Sequence, residues 1–252
     1  EGHSNLAAGT NAAGCNTTGD LNTALGFCSL RLNTTANNNT AVGAKALAVS
    51  TTAADNVALG TSAMVATTTG HSNVSIGKDS MIGNLTGDGN TALGFKALFT
   101  NNGSTPDFNV AIGRQALYSN TTGTVNTAVG LNASYSNTTG TCNVAIGRNA
   151  LYSTTTGYKN VSMGAAALYT NTEGYDNVAI GDTALYLNTT GVENTAVGCG
   201  ALYTNTTAHA NTAIGRATLR LNTTGTKNVA VGRNALCSNT TADCNTAVGF
   251  QA

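Results

Sequence analysis

The sequence predicts an all-β protein, a parallel β-solenoid (β-roll) of about fifteen 17-residue coils with two short strands in each coil. The motif Asn-(Thr/Val)-(Ala/Ser)-aliphatic-Gly recurs through the whole chain. Thirteen of the fourteen intervals between its asparagines are 17 residues long. This period is too short for helical-hairpin repeats, which need about 33 to 47 residues. Asn-Thr-Thr-Gly recurs between successive copies of this motif, and Asn and Gly both suit turns that need a left-handed backbone.

We number the residues of each coil from its asparagine, which is position 1, to position 17, and we assign the elements of one coil by these positions. Positions 2 to 4 predict the first strand, as in Thr127-Ala128-Val129, and the glycine at position 5 turns the chain. Positions 8 to 11 predict the second strand, as in residues 116–119. The Asn-Thr-Thr-Gly that follows predicts the second turn. Equivalent strands of successive coils should pair in parallel and in register.

The array fills residues 1–252 as a single unit, without a linker or a shift in composition. One irregular 19-residue coil, 90–108, holds the only proline, Pro106. Both chain ends fall inside a repeat, so we expect no separate domains and no capping units. Solenoids normally need polar caps, so we expect either a window from a longer array or ends that are covered by other chains.

The repeat positions predict which columns of side chains form the core. Position 4 is aliphatic in every coil and position 9 is mostly leucine, and we expect these two columns, helped by Val or Thr at position 2, to be buried. Position 3 is always Ala or Ser, which indicates either a narrow interior or a second chain packed closely on that face. Position 1 is always Asn, which suits an amide ladder or a turn that satisfies its own backbone.

Six tyrosines share position 10, next to the buried leucine, and should point outward: Tyr118, Tyr135, Tyr152, Tyr169, Tyr186 and Tyr203. We expect this column to be an assembly face that contacts a protein partner. A plain surface stripe and a carbohydrate contact remain alternatives.

Composition and residue placement argue against catalysis and against several partners. The formal charge is zero and only 9% of the residues are charged, so the chain has no basic footprint for nucleic acid. No apolar run approaches the roughly 20 residues that span a bilayer. The three histidines, His3, His71 and His209, all occupy position 16, four and eight coils apart. We therefore expect a protein that is not an enzyme and has no catalytic residues, metal site or cofactor.

The six cysteines predict both intrachain and intermolecular chemistry. Cys237 and Cys244 lie within one coil, and Cys15 and Cys28 lie in adjacent coils, so each pair is a candidate disulfide. Cys142 and Cys199 are more than three coils apart. A disulfide tolerates at most about 7 Å between Cα atoms, so we expect these two to be free or bonded to another molecule.

Sequons for N-glycosylation occur mostly at position 12, which the turn assignment places at the surface. The candidate acceptors are Asn16, Asn33, Asn84, Asn120, Asn137, Asn188, Asn205, Asn222 and Asn239. The same Asn-Thr-Thr sequence also serves as a turn, so the motif by itself does not indicate a glycan.

The repeat Asn-Thr-Ala-Val-Gly-x-x-Ala-Leu-x-x-Asn-Thr-Thr-Gly, as in residues 126–140 with Ser134 in place of the leucine, resembles β-solenoid repeats of bacterial surface proteins and of phage or virus tail fibres. Residues 143–147, Asn-Val-Ala-Ile-Gly, are also distantly similar to the head repeats of trimeric autotransporter adhesins. The resemblance implies an extracellular, often oligomeric, fibrous or adhesive protein.

These expectations combine into a functional hypothesis: a structural subunit of an extracellular fibre or filament, on a cell surface or a virion. Identical chains would assemble through solenoid ends and lateral faces, without nucleic acid and without membrane insertion. One alternative is an ice-binding solenoid that presents the threonines of positions 13 and 14. Another is a surface adhesin that binds a glycan or a protein through the tyrosines.

Overall fold

The computed structural model describes residues 4–102 and 107–252. The chain divides into two compact units, Glu1–Val125 and Asn126–Ala252. The described residues contain no helix, and every strand is three residues long. The first unit holds β1 (Leu6–Ala8), β2 (Thr23–Leu25), β3 (Thr40–Val42), β4 (Val57–Leu59), β5 (Val74–Ile76), β6 (Thr91–Leu93) and β7 (Val110–Ile112). The second holds β8 (Thr127–Val129), β9 (Val144–Ile146), β10 (Val161–Met163), β11 (Val178–Ile180), β12 (Thr195–Val197), β13 (Thr212–Ile214), β14 (Val229–Val231) and β15 (Thr246–Val248).

Within each unit, every strand pairs in parallel with the next strand along the chain. The pairing is in register, so that Val144 lies opposite Val161 and Ala145 lies opposite Ser162. The same register holds from β1 to β7 and from β8 to β15. Each unit is thus a parallel β-solenoid with one repeat per coil, which confirms the predicted fold class.

The second strand predicted in each coil does not form, and that part of the prediction is wrong. In the coil that contains residues 116–119, Gln115 and Leu117 have φ angles of 57° and 49°. Positions 7 and 9 adopt this left-handed conformation in almost every coil, with the alanine of position 8 between them. A left-handed residue on either side of position 8 reverses the chain locally, so an extended segment cannot develop there.

The core prediction is correct for position 9 and wrong for positions 2 and 4. The leucines of position 9, such as Leu117 and Leu151, are completely buried. Position 4 faces outward: Leu59 is 45% exposed and Ile146 is 38% exposed. The alternation of a strand fixes this result, because the small residue of position 3 points inward and its two neighbours point outward. Of the two interpretations of position 3, the narrow interior is therefore confirmed, and Ala128 is fully buried.

Glycine at position 5 is required by close contact between coils. Gly147 has a φ of +134°, and a Cβ built on it would lie 2.5 Å from the carbonyl oxygen of Gly164 in the next coil. The corresponding glycines of other coils meet the next coil in the same way. This column sets how tightly the coils stack.

Two columns of buried asparagines replace part of the hydrophobic interior. In the coil that begins at Asn177, the Nδ2 of Asn177 (position 1) and the Nδ2 of Asn188 (position 12) both donate to the carbonyl oxygen of Gly191, at 2.8 and 3.0 Å. The Oδ1 of Asn177 accepts the backbone N–H of Asn194 in the next coil at 3.0 Å. Both structural explanations offered for position 1 are confirmed, since each amide satisfies a turn and links adjacent coils.

In the irregular 19-residue coil, a side-chain carboxylate accepts the asparagine hydrogen bonds that a backbone carbonyl accepts in the other coils. Pro106 and its three preceding residues lie outside the described residues. Beyond them, the buried carboxylate of Asp107 accepts hydrogen bonds from the Nδ2 atoms of Asn101 and Asn90, at 2.8 and 3.2 Å. Burial raises the pKa of Asp107. The hydrogen bonds from the side-chain amides of Asn101 and Asn90 oppose that rise, and the negative charge of the nearby Asp88 adds to it. Asp107 thereby joins the two asparagine columns in place of the usual position-15 carbonyl.

Candidate functional site

In each unit, the outward side chains of the strands form an apolar surface, which we call the strand face and define as positions 2 and 4 of every strand. In the second unit it holds Thr or Val at position 2 and Val, Ile or Met at position 4. Met163, Ile180 and Ile214 are each more than a third exposed. No position of this face carries a charged residue. Contiguous exposed apolar surface of this kind marks interaction sites in soluble proteins.

Sequence reasoning missed this face because bulky aliphatic residues were assigned to the core. The signal that identifies it is the restriction of position 3 to Ala and Ser. If only the smallest side chains fit inside the strand, the larger residues on either side must lie outside. The pattern of residue size, and not of hydropathy, indicates which side of each strand is buried.

The tyrosines of position 10 are half-buried, and they stack on one another. In the second unit, the ring of Tyr152 lies between Tyr135 and Tyr169, with centroids 5.2 and 5.1 Å apart and rings nearly parallel. The stack continues through Tyr186 to Tyr203. Partial burial raises the pKa of Tyr152, and the neighbouring phenols of Tyr169 and Tyr135 raise it further.

The ends of this aromatic column are also in contact with other side chains. The guanidinium of Arg220 lies 5.6 Å from the ring centroid of Tyr203. In the first unit, Tyr118 stacks on Phe99 at 4.9 Å. Because stacked rings cover each other's faces, the ring edges and hydroxyls are the parts open to a partner. This geometry offers little room for a sugar to stack on a ring face.

The threonines of position 13 use their hydroxyls within the protein. The Oγ1 of Thr189 donates to the carbonyl oxygen of Thr206 in the next coil at 3.1 Å, and the same bond recurs along the column, as from Thr206 to Thr223. The neighbouring position 14 is exposed, as in Thr190. A hydroxyl committed to the backbone is not free to bind water at a surface, so the structure does not favour an ice-binding role for this column.

All six cysteines are free thiols in the structure. Cys237 and Cys244, and likewise Cys15 and Cys28, are not joined, so the two intrachain disulfides stay predictions for the oxidised protein. Cys142 and Cys199 are both exposed, so their thiols are accessible for the intermolecular role expected of them.

The sequon asparagines of position 12 are buried, which contradicts the predicted surface location. Seven of them are completely buried: Asn33, Asn84, Asn120, Asn137, Asn188, Asn205 and Asn222. The Nδ2 that a glycan would occupy already donates to a carbonyl, as in Asn188 to Gly191. Asn16, in the first coil, and Asn239, in the last complete coil, are only partly buried. The turn encloses its asparagine because that amide bridges the turn carbonyl and the neighbouring coil.

The remaining polar groups at the turns serve the backbone. The Nδ1 of His71 accepts the backbone N–H of Ala54, and Asp88 accepts the N–H of His71. Asp243 accepts the backbone N–H and the hydroxyl of Thr226, and these bonds hold its pKa below the usual range. His3 lies outside the described residues. Across residues 4–102 and 107–252, no three His, Cys, Asp or Glu side chains are grouped to hold a metal ion.

A concavity of about 670 Å³ lies at the last coil, and residues of the stacked columns line it, among them Leu236, Asn239 and Ala252. Arg220 and Cys237 also face it.

Among the described residues, none forms a helix of the length and hydropathy that crossing a bilayer requires. No family model matches the chain, and no curated protein matches it.

Proposed function

We propose that the protein is a non-enzymatic structural subunit of an extracellular fibre, and that copies of the chain associate laterally through the strand face. The observation that carries the proposal is the exposed column of position 4. Ile146, Ile180 and Ile214 repeat along one flat side of the second unit, each more than a third exposed. A column of aliphatic side chains left in water is stabilised when a second surface covers it.

The chemistry of the strand face favours a second copy as the partner. The face has no charge, and its only polar groups are the hydroxyls of threonines at position 2, such as Thr195 and Thr212. It therefore has few groups that could recognise an unrelated ligand by hydrogen bonding. A copy of the same solenoid presents a flat surface with the same spacing between strands. The repeat's resemblance to surface and tail-fibre proteins supports an extracellular or virion location.

The experiment compares two triple substitutions of the full chain by sedimentation velocity, with circular dichroism as the check on folding. Ile146→Thr, Ile180→Thr and Ile214→Thr keep the β-branched shape and remove apolar area from the strand face. Each loses about 1 kcal/mol of burial, so together they should weaken association about a hundredfold.

The matched control places Thr at exposed or half-exposed leucines of position 11, away from the strand face, and these are Leu32, Leu187 and Leu221. The control should associate like the wild-type chain, and electron microscopy of the wild type should show bundles or filaments. A wild-type chain that stays monomeric at high concentration contradicts the proposal. Equal loss of association in the two triple variants also contradicts it.

A further inference from the structure

The few charged residues of this chain are separated by sign along the repeat. Seven of the eleven lysines and arginines occupy positions 6 and 7, directly after a strand. Six of the eleven acidic residues occupy positions 16 and 17, directly before a strand. We call the first set the basic rim: Lys45, Lys78, Lys96, Arg114, Arg148, Arg216 and Arg233. The second set is the acidic rim: Asp20, Asp55, Asp88, Asp176, Glu193 and Asp243.

The two rims border the strand face, one on each side. The chain enters each strand from the acidic rim and leaves it towards the basic rim. Arg148, Arg216 and Glu193 are all exposed. Within the part of the chain that the structure describes, the one ion pair is that of Lys78 with Asp79, at 4.0 Å. The other rim charges have no ion-pair partner there, although the carboxylates of Asp20, Asp55, Asp88 and Asp243 accept hydrogen bonds within the chain.

The separation of charge predicts how two copies lie side by side. When the solenoid axes run in the same direction, the acidic rim of one copy meets the basic rim of its neighbour. When the axes run in opposite directions, rims of the same sign meet. Complementary charge across an interface fixes orientation and suppresses wrong arrangements. The rims therefore favour parallel copies.

The positions of individual charges further specify the register. With copies at the same level, residues that flank the same strand meet. Asp176 then meets Asp182 around β11 and Lys227 meets Arg233 around β14, which are two like-charged pairs, against one pair of opposite charges, Asp88 with Lys96 around β6.

A displacement by one strand brings the residue before one strand opposite the residue after the next strand. Opposite charges then meet in both units. The pairs are Asp20 with Lys45, Asp55 with Lys78, Asp88 with Arg114, Lys159 with Asp182, and Glu193 with Arg216. Asp182 and Lys159 belong to the minority that depart from the sign of their own rim, and this register matches them as well. One like charge remains near the pairs, Asp79, and it is already paired with Lys78.

We infer that a second lateral contact, in addition to the one through the strand face, joins the acidic rim of one copy to the basic rim of a parallel neighbour that is displaced by one strand. This inference rests on the proposed self-association and adds a contact at the rims, with its own orientation and register. Each copy offers one rim of each kind, so the contact is heterologous. A heterologous contact with a displacement does not close into a ring, and it extends from copy to copy.

The test is a charge-swap cycle on the full chain, which measures the critical concentration for assembly at low salt. Glu193→Arg puts a positive charge opposite Arg216, and it should raise the critical concentration about threefold to tenfold. The reversal removes an exposed ion pair and adds a like-charge repulsion, which together cost about 0.7 to 1.4 kcal/mol. The matched double variant, Glu193→Arg with Arg216→Glu, should return the critical concentration to within about twofold of the wild type.

The control moves the compensating charge by one coil. Glu193→Arg with Arg233→Glu has the same net charge as the matched variant, but in the inferred register its two new charges do not meet. It should stay as weak as Glu193→Arg alone. High salt should reduce all these differences.

Rescue by the mismatched variant, or no effect of Glu193→Arg, overturns the inferred register. Failure of the matched variant to recover overturns it as well. These results are distinct from a failure of the proposed function, in which the wild-type chain itself does not assemble.

Discussion

The substitution Asn177→Thr removes an amide that connects three successive coils. Its Nδ2 donates to the carbonyl of Gly191 in its own coil and to the Oδ1 of Asn160 in the preceding coil. Its Oδ1 accepts both the backbone N–H and the Nδ2 of Asn194 in the following coil. Threonine has one hydroxyl on a shorter side chain, and it cannot reach both the carbonyl and the next coil.

The expected cost follows from the groups that lose their partners. Asn177 is fully buried, so the N–H of Asn194 would lose its acceptor in a place without water. A buried polar group without a partner costs about 1 to 3 kcal/mol. Loss of the bond to Gly191 adds about 1 kcal/mol. We expect Asn177→Thr to lower the free energy of unfolding by about 3 kcal/mol.

Asn188→Thr is the matched control, because Asn188 is equally buried and donates to the same carbonyl of Gly191. Its Oδ1 accepts only a side-chain amide, that of Asn205, which has a second acceptor in Ala208. The chain itself carries a threonine at this position, Thr154, whose hydroxyl donates to the next coil at 3.1 Å. We expect a cost of about 1 kcal/mol or less.

Guanidinium denaturation of the full-length variants measures both costs, and hydrogen exchange at the amide of Asn194 reports the local effect. Exchange at that amide should accelerate in Asn177→Thr and remain slow in Asn188→Thr. Equal denaturation midpoints for the two variants would refute the reasoning, because it would mean that the bond to the backbone N–H contributes nothing particular.

Three further predictions concern the turns. Gly147→Ala should lower the free energy of unfolding by several kcal/mol, whereas Gly200→Ala, where a Cβ meets nothing within 4 Å, should cost about 1 kcal/mol; similar denaturation midpoints would contradict this. The raised pKa of Asp107 means that its burial destabilises the protein above that pKa and that protonation relieves the cost as the pH falls through it. The difference in unfolding free energy between Asp107→Asn and wild type should therefore shift in favour of the wild type as the pH falls from 7 towards the ordinary carboxyl pKa of 3.8, and a constant difference would contradict the assignment. In a glycosylating host, peptide mapping of the folded protein should find the buried Asn188 unmodified and any glycan at exposed sequons such as Asn38.

The period of the sequence predicted the register of the fold but not the path of each coil. Every 17-residue interval places one strand beside its equivalent, and the strand at Thr127–Val129 occurs where it was expected. The segment around Leu117 was predicted to be a strand because its alternation resembles one. Its backbone instead has a φ of 49°, which bulky residues seldom adopt. Hydropathy contains no information on this conformation, since the surrounding coils impose it.

The same limit explains the sequon prediction. Asn-Thr-Thr-Gly was expected at the surface because turns are usually exposed. In a stacked array, however, each turn has another turn above and below it, and the amide of Asn188 lies between them. The stacking of identical turns, which the period itself implies, is the reason that this polar residue is buried.

Burial of the asparagines also explains why aliphatic residues lie outside. A 17-residue coil encloses a narrow cross-section, and its turns leave backbone groups that must be bonded within that space. Asn177 and Asn188 fill that part of the interior and satisfy those groups, and Ala and Leu at positions 8 and 9 fill the rest. No room remains for Ile180, which the strand directs outward at 38% exposure. The strand face is therefore a consequence of the hydrogen-bonding needs of the interior, and the apolar surface that it leaves in water is the physical reason to expect lateral association.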